Sequence, residues 1–350
     1  MRILVFYREL AGYFLDCLSY FCESTNSSAL VVALPVNEEA PFDFIHSPRI
    51  EIIGRNTING NKLLDLAQSN EFQLVLCGGW SDRDYIKALK CRSSPSILAF
   101  DNHWSASPRQ IAGAVFSRLH LRSAFDRVFV PGYAQSRFAK IMGFKPGHIY
   151  RGFYACDTSA FEKVMPNYNR HNKDSRKRII YTGRYIPQKF SAALFDAFMS
   201  LPDEILSEWE LHAYGTGIEW DQRPVHRAII HHGFVQPEQL KQEMTMGHAF
   251  VLPSIFEPWG VVVHEFAAAG FPMLLSNAVG AAEAFLEVGE NGFLFESGDA
   301  QRLYQGLVEL LSCSNERLQR MGEHSRKLAQ KITPVTWSQT LLQIAQEGIH

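Results

Sequence analysis

The strongest constraint on this chain is a rhythm of short apolar runs separated by longer helix-like segments, carried through once and then begun again. RILVFY, ALVVALP, IEIIG, QLVLCG, SILAF and RVFVPG fall in the first half, with helical patterns such as 12–23 and 108–123 between them. RIIYTGR, WELHAYG, AIIHHGFV, HAFVLPS, PMLLS and GFLF repeat the pattern in the second half. Strands that are apolar along their whole length belong in a parallel sheet covered on both faces, and the intervening helices supply the crossovers that such a sheet needs. The expected fold class is therefore α/β, with two doubly wound Rossmann-like domains facing a cleft. Length agrees, since 350 residues exceed one average domain of roughly 100 to 200.

A polar, charged run without periodicity, NYNRHNKDSRKR at 167–178, stands before a strong strand and is the best linker candidate. The expected division is an N-terminal Rossmann-like domain over 1–160, a linker over 161–178, and a second Rossmann-like domain over 179–335. A last helix over 336–350 has apolar residues along one face, placed to pack back on the first domain. In open parallel sheets ligands bind beyond the carboxyl ends of the strands, so the site is expected there.

Composition excludes several classes. Lys and Arg number 34 against 36 Asp and Glu, a net charge of −2, which provides no global basic field for nucleic acid. The six cysteines are scattered, with no C-x-x-C and no paired zinc spacing, and read as reduced thiols in a reducing compartment. MRILVFY opens as a strand and lacks the pattern of a signal peptide, so export by that route is not expected. No apolar stretch approaches the roughly 18 to 20 residues of a spanning helix, so a cytoplasmic chain with at most peripheral contact at the inner membrane surface is expected.

The most informative segment is FVLPSIFEPWGVVVHEFAAAG at 250–270, where a buried strand ends and a helix begins near Pro258 or Gly260. Proline at a first helical turn with glycine beside it lets backbone approach a ligand, and the helix start offers free amides and positive potential. Glu257 lies just before the helix and Glu265 about two turns in, an E-x7-E spacing. Carboxylates at a strand's carboxyl end accept hydrogen bonds from vicinal hydroxyls. On spacing alone a second reading stands beside this one, with Glu257 serving the helix dipole and Glu265 on the surface.

This segment resembles the donor-site motif of the retaining glycosyltransferases of family four, which have the GT-B fold, and the likeness extends over most of the chain. YTGRYIPQK resembles the family's strand-Gly-Arg-x-x-x-x-Lys segment, matching Gly183, Arg184 and Lys189. HHGFV at 231–235 resembles its base-facing turn, which implicates Phe234 and Val235. NAVGAAEAF and ENGFLF resemble the elements that follow the motif. The resemblance implies that Glu265 holds the donor's ribose, Glu257 the transferred sugar, and the backbone of Pro258, Trp259, Gly260 and Val261 the sugar and phosphate. Arg184 and Lys189 would clamp the diphosphate as charge builds on the leaving group. A UDP-sugar is preferred over a GDP-sugar, and the acceptor is expected to be a glycan or lipid-linked, in surface polysaccharide or glycoconjugate synthesis.

The first half departs further from the family. Gly12 is the only glycine in the first strand-to-helix loop, where the family often has two. SILAFDNHW ends in Asp101 and, two residues on, His103, and one of them is expected to face the reacting carbon. His231, His232 and His264 read as structural. Asp82 and Asp84 form a D-x-D, the manganese or magnesium signature of other glycosyltransferases. They begin a helix, however, where Asp is a common cap, and they lie in the half opposite the donor motif. No metal and no cofactor are expected.

Two rivals remain: an epimerase acting on a nucleotide sugar in the same fold, and a two-domain binding protein for sugars or anions. A nicotinamide oxidoreductase would need G-x-G-x-x-G after a strand, which is absent. PRQIAGAVFSRLHLRSAFDR at 108–127 carries apolar residues and Arg109, Arg118, Arg122 and Arg127 at helix-like spacing. It reads either as a sheet-covering helix with a solvated basic edge or as a face that rests on anionic lipid.

Overall fold

The computed structural model describes residues 1–35, 42, 45–104, 106–164, 166, 168 and 176–347, apart from the side chains of Arg109 and Leu119. Within the expected linker over 161–178, residues 165, 167 and 169–175 lie outside the described residues. Two compact units form, one from Met1–Asp157 with Ile332–His350, the other from Thr158–Lys331.

Unit 1 alternates β1 (Arg2–Tyr7), α1 (Gly12–Ser24), β2 (Ser28–Ala33), β3 (Ile50–Gly54), α2 (Gly60–Gln68), β4 (Leu74–Gly78), α3 (Arg83–Lys90), β5 (Ser96–Ala99), α4 (Pro108–His120), β6 (Arg127–Val130), α5 (Tyr133–Ile141) and β7 (Ile149–Arg151). Unit 2 runs through α6 (Thr158–Glu162), β8 (Lys177–Thr182), α7 (Ser191–Met199), α8 (Asp203–Glu208), β9 (Trp209–Tyr214), β10 (Ile229–Gly233), α9 (Pro237–Met244), β11 (Ala249–Leu252), α10 (Val261–Ala269), β12 (Met273–Ser276), α11 (Ala282–Phe285), β13 (Gly292–Phe295), α12 (Ala300–Leu311) and α13 (Asn315–Ala329). The chain then returns to unit 1 with α14 (Pro334–Glu347).

Among the described residues the strands pair in parallel in two sheets, ordered β3-β2-β1-β4-β5-β6-β7 and β10-β9-β8-β11-β12-β13. Strand β1 shows why the apolar runs are continuous. Ile3, Val5 and Tyr7 enter one core with Phe14, Phe21 and Trp337, whereas Leu4 and Phe6 enter another with Leu63, Tyr85 and Leu89. Alternate side chains point to opposite faces and both faces are covered, so beyond Arg2 at its start the strand is buried at every position. Helix α14 is held in the first of these cores by Trp337, Leu341 and Ile344, and Trp337 Nε1 donates to the Phe153 carbonyl at 2.8 Å.

Each order reverses once, between β1 and β4 in the first sheet and between β8 and β11 in the second. At such a point the loops leave the sheet in opposite directions and open a crevice at the carboxyl edge.

Candidate functional site

Five loops meet at the carboxyl edge of the second sheet, those after β8, β9, β10, β11 and β12. They are laced together by backbone. Gly183 N donates to the Tyr214 carbonyl at 3.0 Å, Gly215 N to Gly233 at 2.7 Å, and Ile255 N to Gln188 at 2.9 Å. Gly280 N donates to Glu257 O at 2.9 Å and Ala281 N to Trp259 O at 2.8 Å. Two glycines are required by contact: a Cβ on Gly280 would stand 2.1 Å from the Pro258 carbonyl oxygen, and one on Gly215 equally close, 2.1 Å, to that of Gly183.

The switch point between β8 and β11 places Lys189 against Glu257. Lys189 Nζ donates to Glu257 Oε2, and both side chains are largely buried, 19% and 14% exposed. Ser254, fully buried at the end of β11, adds its hydroxyl to the same oxygen at 3.3 Å. Lys189 ends a single turn, Pro187–Lys189, followed by Phe190 at φ +57°, a left-handed conformation that costs a bulky side chain of order 1 kcal/mol. Arg184 lies exposed on the same loop, its carbonyl held by the Tyr181 hydroxyl at 3.2 Å, and Gly183 keeps the room in which the Tyr181 hydroxyl and the Lys189 stem approach.

Helix α10 starts beside this pair. Gly260 takes φ +91° at its N-cap and no side chain caps the helix. The amides of Val261 and Val262 therefore precede any intrahelical acceptor and carry the positive end of the helix dipole, while Val263 N already donates to the Gly260 carbonyl at 3.0 Å. Trp259 is 2% exposed, and its Nε1 is buried without a hydrogen-bond partner. Glu265 is half-buried on α10, four residues beyond Val261, and so on the same helix face. Phe234 and Val235 follow β10, whose last residue, Gly233, has φ +75°. A Cβ there would meet Trp220 at 3.8 Å.

The histidines have structural settings. His264 is fully buried, stacked on Phe285 at 4.1 Å, with Nε2 at 3.0 Å from the Ala329 carbonyl, and burial pulls its pKa down to about 4. His231 bonds the Tyr185 hydroxyl at 2.9 Å, and His232 bonds His212 at 3.0 Å. In unit 1, Asp82 is the N-cap of α3, accepting from Asp84 N at 2.8 Å and Tyr85 N at 3.3 Å, and Arg55 pairs with both carboxylates of the D-x-D.

Gly12 opens α1 after Ala11, again without a side-chain cap. Asp101 and His103 follow β5, each with its carbonyl held at 2.8 Å, by Gln135 and Gln110 respectively. Their loop has a setting that sequence reasoning missed. Tyr7, Tyr13 and Tyr154 gather near Asp101. Burial pushes the Tyr7 and Tyr154 phenols well up, with Tyr13 and Asp101 adding to the shift. The residues missed in unit 2 are Ser254 and Gly280. Ser254 stands at the end of LPS in the motif strand, and Gly280 in NAVGAAEAF, so a carboxyl-edge rule would have found both.

The structure thus brings Gly183, Arg184, Lys189, Phe234, Val235, Glu257, Pro258, Trp259, Gly260, Val261 and Glu265 to one edge of one sheet. Against known proteins, the family profile described as "Glycosyl transferases group 1" matches residues 167–328. Residues 167–328 belong to this family. The group 1 domain contains all eleven of those positions; Gly12, Asp101 and His103 lie outside it.

Among relatives, spore coat protein SA of Bacillus subtilis (strain 168) is 34% identical over 98 residues, 28% of this chain and 26% of that protein. O-antigen chain mannosyltransferase B of Escherichia coli is 22% identical over 202 residues, 52% and 50% of the two chains. The matched stretches thus span between a quarter and half of these relatives. Solved structures agree over the whole chain. Anabaena Alr3699/HepE, in complex with UDP and glucose, has a TM-score of 0.72 at 17% identity and covers 98% of this chain and 99% of its own. A glycosyltransferase from Rickettsia africae ESF-5 has a TM-score of 0.76 at 12% identity over 99% and 98%. The fold around the group 1 domain is that of the GT-B glycosyltransferases, with two Rossmann-like domains.

Proposed function

We propose that this chain is a retaining glycosyltransferase that moves a sugar from a nucleotide-sugar donor to a glycan or lipid-linked acceptor without a divalent metal. The observation that carries the proposal is the Lys189–Glu257 pair set beside the uncapped start of α10 at the sheet's switch point. A cation, a carboxylate and free amides within one loop cluster suit a ligand that is part diphosphate and part polyol. Lys189 has three N–H donors, so it can keep Glu257 and also hold a phosphate oxygen.

In this reading Glu265 takes the ribose hydroxyls and the backbone at Phe234 and Val235 meets the base. Glu257 takes the transferred sugar's hydroxyls. The bond between the anomeric carbon and the phosphate oxygen breaks while the acceptor oxygen bonds to that carbon from the same face. The acceptor's proton passes to the departing phosphate. Arg184, Lys189 and the α10 amides stabilise the developing charge, the role a metal plays elsewhere. The Anabaena structure holds UDP and glucose, which supports a uridine donor, and the relative named as an O-antigen chain mannosyltransferase supports surface-glycan synthesis. We place the reaction in the cytoplasm, with peripheral contact at the inner membrane surface.

The test is a thermal-shift panel of nucleotide sugars in EDTA, followed by product analysis with labelled donor. A ligand at 100 times its dissociation constant adds roughly 2.7 kcal/mol of stability. The expected result is a shift with one class of donor and sugar transfer that persists in EDTA. Activity restored only by magnesium would remove the metal-free mechanism, and a rearranged sugar formed from donor alone would favour an epimerase. No shift with any nucleotide sugar would favour the binding-protein reading.

A further inference from the structure

Helix α4 is turned opposite to the usual arrangement of a helix that covers a sheet. It buries Ala114 (5% exposed) and Ser117 (4%), with Leu121 (6%) one turn on. Among the described side chains of the helix, three large apolar ones point out: Ile111 is 50% exposed, Val115 62% and Phe116 61%. A surface helix normally presents its bulky apolar residues to the core and its small or polar ones to water. The helix is well begun, with Pro108 in its first turn and the Ser107 hydroxyl accepting from Gln110 N at 3.3 Å, so the outward face is a defined one. Ile111 and Val115 are neighbours four positions apart and Phe116 lies about 100° further round the outward side, an apolar patch that water alone does not favour.

Charge identifies the partner. Between Trp104 and Cys156 the sequence carries six arginines and two lysines against one acid, Asp126, a surplus of 8 − 1 = 7 positive charges in a chain whose net charge is −2. The one acid is already taken, by Arg92 at 2.7 Å, and of the arginines Arg127 is largely buried against Glu347. Arg118 is exposed on α4, its Nε bonded to the Ile141 carbonyl at 3.1 Å. Arg122, just beyond the helix, lies over the Phe144 ring at 4.6 Å. Apolar tips with tethered cations beside them are the composition of a helix lying in a membrane interface. No helix of the described residues is long and apolar enough to cross one.

We propose that α4 rests on an anionic bilayer, with Ile111, Val115 and Phe116 entering the headgroup boundary and the exposed Arg118 at the level of the lipid phosphates. This deepens the membrane contact of the proposed function, giving it a surface and a lipid chemistry. It uses residues outside the donor site, so each reading can fail alone. A second copy of the chain is the poorer occupant, because a symmetric interface would set the same positive surplus against itself.

The test is flotation of the whole chain with phosphatidylcholine vesicles, with and without phosphatidylglycerol, at low and high salt. Expected is binding to the anionic vesicles alone, weakened by salt. The exposed pair Val115→Glu with Phe116→Glu should lower it by about tenfold or more, and Arg118→Glu by about fivefold or more. Melting temperatures and donor-induced thermal shifts should stay unchanged in both variants. Absence of binding to anionic vesicles at low salt, or equal binding by the double variant, overturns the proposal. So does a concentration-dependent dimer that the double variant abolishes, which would make the face an interface between copies.

Discussion

Lys189 and Glu257 are joined across the point where the second sheet reverses its strand order, one from the loop after β8 and the other from the loop after β11. Neither loop makes this pair alone. The Ser254 hydroxyl donates to the same carboxylate oxygen, and Gly280 N donates to the Glu257 carbonyl and ties it to the next loop.

The first prediction concerns that pair. Lys189→Met leaves a largely buried carboxylate with only the Ser254 hydroxyl, which should cost about 2 kcal/mol. Breaking a fully buried pair costs roughly 3–5 kcal/mol, and the partial exposure here calls for less. Adding Glu257→Gln should recover part of the loss, because the stranded charge is gone. Urea unfolding of the two single variants and the double variant gives the coupling directly. Simple additivity would show that the two side chains do not stabilise one another.

The second prediction separates the two glutamates. Glu265→Gln should weaken nucleoside diphosphate and intact donor alike, by about ten- to a hundredfold, because both ligands carry the ribose. Glu257→Gln should leave diphosphate binding nearly intact while turnover falls or sugar choice relaxes. Calorimetry with the diphosphate, beside steady-state rates with the donor, checks both. Equal loss of diphosphate affinity in the two variants would mean that the assigned roles are wrong.

A third prediction rests on the close approach at Gly280. Gly280→Ala puts a methyl 2.1 Å from the Pro258 oxygen, an atom of backbone that cannot rotate away, so the loops after β11 and β12 must separate. Expected are a loss of roughly 2 kcal/mol or more and weaker donor binding. Gly113→Ala is the contrast: nothing lies within 4 Å, and the site is an exposed helix interior. Stability should rise there by about 0.5–1 kcal/mol. Thermal melts of the two variants should move in opposite directions.

The fourth prediction is a pH dependence. Burial holds His264 neutral down to about 4, and burial likewise lowers His212 despite the opposing bond to Glu210. Unfolded, each histidine takes a proton near its ordinary value of about 6.5. The unfolded state therefore binds more protons between about 6.5 and 4, and stability is complete above that window and falls as pH drops through it. Each such site contributes up to about 1.4 kcal/mol per pH unit. Urea unfolding at pH 7, 6 and 5 measures the slope, and His264→Gln should make it shallower whatever the variant's absolute stability. An unchanged slope would show that His264 takes its proton as readily in the folded chain as in the unfolded one.

Periodicity and residue type were enough to read the α/β class and the doubly wound pattern, because a strand buried on both faces has no polar alternation and its helices no other place to go. Proline and glycine also located the start of α10, since those residues act through their own backbone. Asp82 shows the same locality: its capping role depends on amides two and three residues away. Tertiary structure alone decided what depends on distant segments. Lys189 meets Glu257 across 68 positions, Gly280 is demanded by a carbonyl 22 residues earlier, and Tyr7 and Tyr154 gather near Asp101 from opposite ends of unit 1. The outward face of α4 belongs to this second kind. Its sequence has apolar residues enough for either side, and only the folded chain put Ala114 and Ser117 in and left Ile111, Val115 and Phe116 out.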